Sequence, residues 1–213
     1  MLTLTAACGG SSDSGKGGDA AGAKALTAEQ MKAGLLEASE LPAGWTEDAA
    51  AGAGDKYKAE KAECQPLAAL MGDEIEGATA GANREFSRAS DSGIFAQQIY
   101  TYKDTAAATG FVKGVADAVA SCATFTVGEG DEKMEIKAEK LETAKVGEES
   151  AAVRLITNIP QLGMKIESDV LVARQGAGLT RVAYAPMGAK PDHASFDDLA
   201  KRAGEKFVKG ATS

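Results

Sequence analysis

A cysteine thiol is the first group in this 213-residue chain whose surroundings specify a chemistry. Leu2-Thr3-Leu4-Thr5-Ala6-Ala7 leads into Cys8, and Gly9-Gly10-Ser11-Ser12 follows. Small side chains before a cysteine let an extended backbone enter a signal peptidase cleft, and the freed cysteine then carries lipid such as palmitate. Thr5 stands where such signals prefer leucine; Leu4 lies one place earlier. Only seven residues precede Cys8, too few for a charged n-region and a full apolar h-region, so the natural precursor is expected to start further upstream. This reading anchors the protein by lipid to the outer face of the cell membrane. The plain alternative is a cytosolic N-terminus with a stray cysteine.

With Cys8 assigned to lipid, Cys64 and Cys122 remain as one pair. Outside the cytoplasm they are expected to form a disulfide, worth roughly 4 kcal/mol for so long a loop; the alternative is two separate buried thiols. His193 is the chain's single histidine, next to Pro191 and an expected helix cap, where exposure is expected. A Ser-His-Asp triad needs an imidazole held beside a positioned serine, and neither a Gly-x-Ser-x-Gly elbow nor a Ser-x-x-Lys run is present. Gly10-Ser11-Ser12-Asp13-Ser14-Gly15-Lys16-Gly17 imitates a phosphate-binding loop, but Gly17 replaces the metal-binding hydroxyl and no strand precedes it. The acidic groups Asp73/Glu74/Glu76, Glu129/Asp131/Glu132 and Asp197/Asp198 lack the alternating oxygens and glycine of a calcium loop. No metal or cofactor is expected, and no catalytic activity. A net charge of −8 argues against nucleic acid as a partner.

Two groups of polar side chains could instead bind. Gln98, Tyr100 and Tyr102 alternate along one strand face, opposite Phe95, Gln97 and Ile99. Such a face lines a polar ligand cleft, or else lies beneath a helix with its hydroxyls at the edge. Arg174 and Arg181 fall on adjoining strands. If the intervening turn centres on Gly176-Ala177 they share a face, and Arg154 is expected to join them from the next strand. The three would form an anion site, or a solvated face paired with acids. Trp45, the only tryptophan, reads as an apolar plug behind the first helix.

The elements that must position these residues can be read from pattern. Residues 1–8 hold the residual signal. Residues 9–25 have no large apolar side chain and form a flexible tether, with a mean reach of roughly 20–25 Å. A single domain occupies 26–213. Thr27-Ala28-Glu29-Gln30 is a capping box, and its helix should run to Leu41-Pro42-Ala43-Gly44. Cys64 to Met71 suggests a short helix with Pro66 in its first turn. Strands are expected at 83–89, 94–103, 124–127, 132–141, 151–159, 165–174 and 179–185, with short, hence antiparallel, connections. Asp104 should cap a helix whose inner face carries Ala107, Phe111, Val115, Val119 and Cys122. A last helix should begin at Ser195-Phe196-Asp197-Asp198. The fold class is α+β: an antiparallel sheet of about seven strands with helices packed on it.

Some of these runs carry a family likeness. Leu35-Leu36 through Leu41-Pro42-Ala43-Gly44-Trp45, then Cys64-Gln65-Pro66-Leu67, are matching features. So are Gln97-Gln98-Ile99-Tyr100-Thr101-Tyr102 running into Ala106-Ala107-Ala108, and the closing Ser121-Cys122. Over roughly 27–210 the chain resembles the PknH-type extracellular sensor-like domain of mycobacterial membrane kinases and of free-standing actinobacterial lipoproteins. The resemblance implies an antiparallel sheet with flanking helices, a cleft suspected to bind a ligand, and no known catalytic residues. It usually implies two disulfides, whereas these cysteines allow one. The expected function is a lipid-anchored, non-enzymatic binding or sensor-like module of the cell envelope, with a small-molecule or protein ligand. The alternative is a carrier of a lipid or other apolar ligand.

Overall fold

The computed structural model describes residues 24–49, 56–128, 133–159, 163–187 and 189–213. Cys8, most of the 9–25 tether, the Gly10–Gly17 run and the Glu129/Asp131/Glu132 group lie outside the described residues.

Eight strands form one sheet, one more than expected: β1 (Trp45–Glu47), β2 (Thr79–Arg88), β3 (Gly93–Thr101), β4 (Thr124–Val127), β5 (Met134–Lys140), β6 (Glu149–Ile159), β7 (Met164–Gln175) and β8 (Gly178–Pro186). All described pairings are antiparallel, in the order β1-β2-β3-β8-β7-β6-β5-β4. The helices are α1 (Ala28–Ala33), α2 (Gln65–Ala69), α3 (Thr105–Ser121) and α4 (His193–Ala211). Between β7 and β8, Gln175 pairs with Gly178, so the reversal is the two residues Gly176-Ala177. Gly176 takes φ 58°, the conformation a tight hairpin asks of a leading glycine.

The extra strand is β1, in the segment read as the stop of the first helix. Thr27 and Gln30 do form the capping box, but α1 ends at Ala33 and a 3₁₀ turn occupies Ala38–Glu40. Gly34 explains the early stop. A Cβ there would lie 2.8 Å from Ile99 Cδ1 and 3.2 Å from the Phe207 backbone. The chain must turn there to pass close to β3 and α4. The cap of the last helix lies three residues before the expected Ser195: Asp192 is the N-cap, and its carboxylate accepts from Ser195 N at 2.9 Å.

Alternation gives the sheet two apolar faces, each under helices. Tyr100, Leu179, Val172, Val170, Val153 and Ile136 face α2 and α3. Phe95, Val182, Tyr184, Leu171 and Ala173 face Leu199, Ala200 and Ala203 of α4, with Trp45 beside them as the expected plug. The inward face of α3 is Ala108, Val112, Val115 and Ala118 rather than Ala107, Phe111 and Val119. Small residues let the helix settle close to the sheet, while Phe111 rests on its flank against the Tyr102 ring, centroids 6.3 Å apart. Cys122, ending α3, is bonded to Cys64, which precedes α2. The disulfide therefore fastens α2 to α3.

One charged pair sits inside the α4 face. Arg154 Nε and Nη2 donate to the Asp169 carboxylate at 2.6 and 2.7 Å, and Nη2 also to Pro191 O at 3.1 Å. Asp169 is fully buried and Arg154 nearly so. Removing one partner leaves a buried charge unpaired, whereas replacing both with apolar groups does not. Arg154→Ala is expected to cost about 3–5 kcal/mol, and Arg154→Met with Asp169→Leu far less. Urea denaturation of the two variants checks this; equal losses would contradict it.

Candidate functional site

Arg181 on β8 and Gln98 on β3 are cross-strand partners on the α3 side of the sheet. The segment Leu70–Asp73, just after α2, lies over them. Arg181 Nη1 donates to Leu70 O at 3.2 Å and to Gly72 O. Its Nη2 donates to Asp73 Oδ1 at 3.0 Å and to Gln98 Oε1 at 2.9 Å. Gln98 Oε1 also accepts from the Tyr100 hydroxyl at 2.6 Å, and Gln98 Nε2 donates to Asp73 O at 3.3 Å. A guanidinium offers several donors in a fixed fork, which suits it to gripping the carbonyls that end a short helix. Burial pushes the Tyr100 hydroxyl up to about 12.

Gln98, Tyr100 and Arg181 thus converge, but their polar atoms are occupied by the Leu70–Asp73 segment. Tyr102 is also buried, packed against Phe111 of α3, and its hydroxyl has no hydrogen-bond partner among the described residues. The three arginines do not form one anion site. Arg174 shares the face of Arg181 but pairs with Glu148 and with Glu149, the latter at 2.7 Å. Arg154 is on the opposite face, because β6 places Val153 and Leu155 toward α3 and so Arg154 toward α4. All three are paired with acids, but they are buried and lie on two faces, so they do not form the solvated arginine face that was the other expectation.

Two recesses open on the α3 side. The larger, 690 Å³, lies between the C-terminal half of α3 and the β5–β6 connection. Ala116, Val119, Ala120, Leu141, Ala151 and Ala152 give it an apolar wall, and Lys140, Lys145 and Glu142 edge it. Lys140 is paired with Glu142 at 2.6 Å, while Lys145 makes no ion pair among the described residues. The smaller, 280 Å³, is a groove on the sheet itself, floored by Leu155, Ile166, Ser168 and Ala183 and walled by Leu70 and Met71. Arg181 borders this groove; Gln98, Tyr100 and Tyr102 line neither recess. Sequence reasoning missed the larger recess. Its signal was the run of small residues on the outer side of α3, which leaves space where a larger side chain would fill it.

A second network lies at the far edge. Arg88 stacks over Trp45 at 4.6 Å and donates to Asp91 at 2.6 and 3.0 Å, while the Tyr184 hydroxyl donates to Asp91 at 2.5 Å. The Arg88 hydrogen bonds hold the Asp91 carboxyl far below its ordinary value. His193 is exposed at the first turn of α4. Among the described residues no cluster of three or more His, Cys, Asp or Glu could hold a metal.

The sheet order, the two helical layers and the disulfide from α2 to α3 can be set against known proteins. No protein-family model matches the chain, and no curated protein sequence does. Among solved structures, it is similar to the extracellular domain of PknH from Mycobacterium tuberculosis, at 15% identity and a TM-score of 0.59, over 89% of this chain and 98% of that one. This chain has the fold of the PknH extracellular domain. A Mycobacterium smegmatis protein of uncharacterised role is also similar, at 11% identity and a TM-score of 0.49, over 88% of this chain and 97% of that one. The PknH-type expectation of an antiparallel sheet with flanking helices is met.

The hydroxyls separate by substitution. Tyr100→Phe removes a bonded buried hydroxyl and is expected to cost about 1 kcal/mol. Tyr102→Phe removes an unpartnered one and is expected to be neutral or stabilising. Urea midpoints check both, and a loss at Tyr102 as large as at Tyr100 would contradict the assignment. Burial also raises Tyr184 to about 12. A folded value above the unfolded one, ~10, means stability is intact below pH 10 and falls as pH rises from 10 toward 12. Thermal melts across that window should show the fall, and Tyr100→Phe should reduce it.

Proposed function

We propose that this chain is an extracytoplasmic binding module, anchored to the outer face of the cell membrane by lipid on Cys8, that holds a small ligand without transforming it. The observation that carries the reading is the 690 Å³ recess beside α3. Its size falls among small-molecule sites, and such sites are mostly apolar walls with a few placed polar groups. Lys145 would supply the polar contact at its rim. The PknH-type fold supports an extracytoplasmic setting, and the disulfide between Cys64 and Cys122 is of the kind that persists there. Gln98 and Tyr100 would act indirectly, by keeping α2 in place, rather than as ligand contacts.

A second reading, a carrier of a lipid or other apolar molecule, would use the same recess. The wall of Ala116, Val119, Ala120, Leu141, Ala151 and Ala152 favours it. Native mass spectrometry on chain purified from membranes separates the two by the mass of any retained ligand: an acyl lipid for a carrier, a smaller polar-ended molecule for a sensor. The recess itself is tested with a fluorescent apolar probe. Ala120 is exposed on α3 and lines the recess, so Ala120→Trp fills space without disturbing the core. It is expected to weaken probe binding about tenfold while stability stays within ~0.5 kcal/mol. Unchanged probe binding would remove the recess as the site.

A further inference from the structure

Among the described residues, helices cover the α3 side of the sheet at one end only. Helices α2 and α3 lie over Tyr100, Leu179, Val172, Val170 and Val153. Further along the same strands, Ala96, Ala185, Ser168, Ile166 and Thr157 are only half-buried. The described large apolar side chains that stand exposed, Ile94, Met164 and Met187, all lie at this end. Ile94 alternates with Ala96 and Gln98, and Met164 with Ile166 and Ser168, so both point to the α3 side. Met187 leaves β8 at the same end, just beyond the Gly93–Pro186 pair. The groove floored by Leu155, Ile166 and Ser168 runs into this patch. Contiguous exposed apolar surface of this kind marks an interaction site.

Charge says what fits. Glu85 is the cross-strand partner of Ala96 and closes the patch on the β2 side. It has no ion-pair partner among the described residues. Burial, with Asp48 and Asp73 nearby, raises its carboxyl above the ordinary value. Asp73 is already paired with Arg181 at 3.0 Å, so the surplus negative charge there belongs to Glu85 and Asp48. A cation brought to this rim would be attracted. Elsewhere this sheet buries its apolar side chains under helices, and a helix is the element that completes that layer.

We infer that the half-buried end of the α3 face docks a basic amphipathic helix of a partner protein, its apolar stripe on Ile94, Ile166 and Met164 and its cations against Glu85. The site is distinct from the recess beside α3. A membrane surface is the poorer occupant. The chain enters the domain at Leu26, whose N–H donates to Thr101 Oγ1 at 2.7 Å, at the opposite end of β3 from Ile94. This last point alone rests on the lipid anchoring proposed above.

The test uses the full chain and two synthetic 18-residue amphipathic helices, one of leucine and lysine and one of leucine and glutamate. Fluorescence anisotropy should show the lysine helix binding at least tenfold more tightly. Ile94→Lys and Glu85→Lys should each weaken it about tenfold, while Glu205→Lys, on the exposed side of α4, should leave it unchanged. Equal binding of both helices would overturn the inference. So would an effect of Glu205→Lys as large as that of Glu85→Lys, which would mean only net charge is felt. Sedimentation of the free chain gives the remaining outcome. A dimer that Ile94→Lys dissolves would assign the patch to a second copy instead.

Discussion

The grip of Arg181 on the Leu70–Asp73 segment sets the shape of the α3 face. Helix α2 is five residues long, too short to hold itself on a sheet by its own hydrogen bonds. Arg181 holds its C-terminal carbonyls, and the disulfide from Cys64 to Cys122 holds its N-terminal end against α3. Between these two fastenings Leu67 and Ala68 are fully buried. Leu70 and Met71, placed by the same grip, become the wall of the sheet groove. The arginine could not be exchanged for lysine at no cost, since a single ammonium cannot reach two carbonyls, a carboxylate and an amide in one plane.

Much of this architecture was legible from pattern. Period-two alternation placed seven strands, and the Gly176-Ala177 turn placed Arg174 and Arg181 on one face. The capping box at Thr27 and the cap at Asp104 follow from side chains acting on the adjacent backbone, which is local information. The misread elements depend on distant partners. Trp45 became a strand because β2 runs past it and because its ring fits among Phe95, Tyr184 and Arg88. The first helix stopped short because Ile99 and Phe207 press on Gly34. The inward face of α3 was placed about one residue off because size, and not only hydrophobicity, decides which side chains meet a sheet.

The candidate site was legible in part. Gln98, Tyr100 and Arg181 do meet, yet what they meet is the chain itself. Nothing in the sequence around Asp73 signals that its segment folds back across about 25 positions to occupy the hydroxyl and amide. Arg154 was separated from the other arginines by the register of β6 against β7, which strand alternation alone does not fix. The recess beside α3 is formed by what is missing, the side chains beyond Cβ at Ala116 and Ala120, and small residues on a solvent face carry little sequence signal.

These features combine into a domain whose buried polar networks hold segments together and whose two α3-side recesses have largely apolar walls. Arg181, Arg174 and Arg154 are each paired with an acid and hold segments together, while Lys145 at the recess and Glu85 at the sheet patch make no ion pair among the described residues. The most direct measurement is nuclear magnetic resonance on the isotopically labelled chain titrated with an apolar fluorescent probe of the kind used above. Shifts confined to Ala116–Ala120, Leu141 and Ala151–Ala152, saturating at one equivalent and leaving the probe chemically unchanged, are expected. Shifts centred on α4, or turnover of the probe, would contradict a non-catalytic binding site on the α3 face.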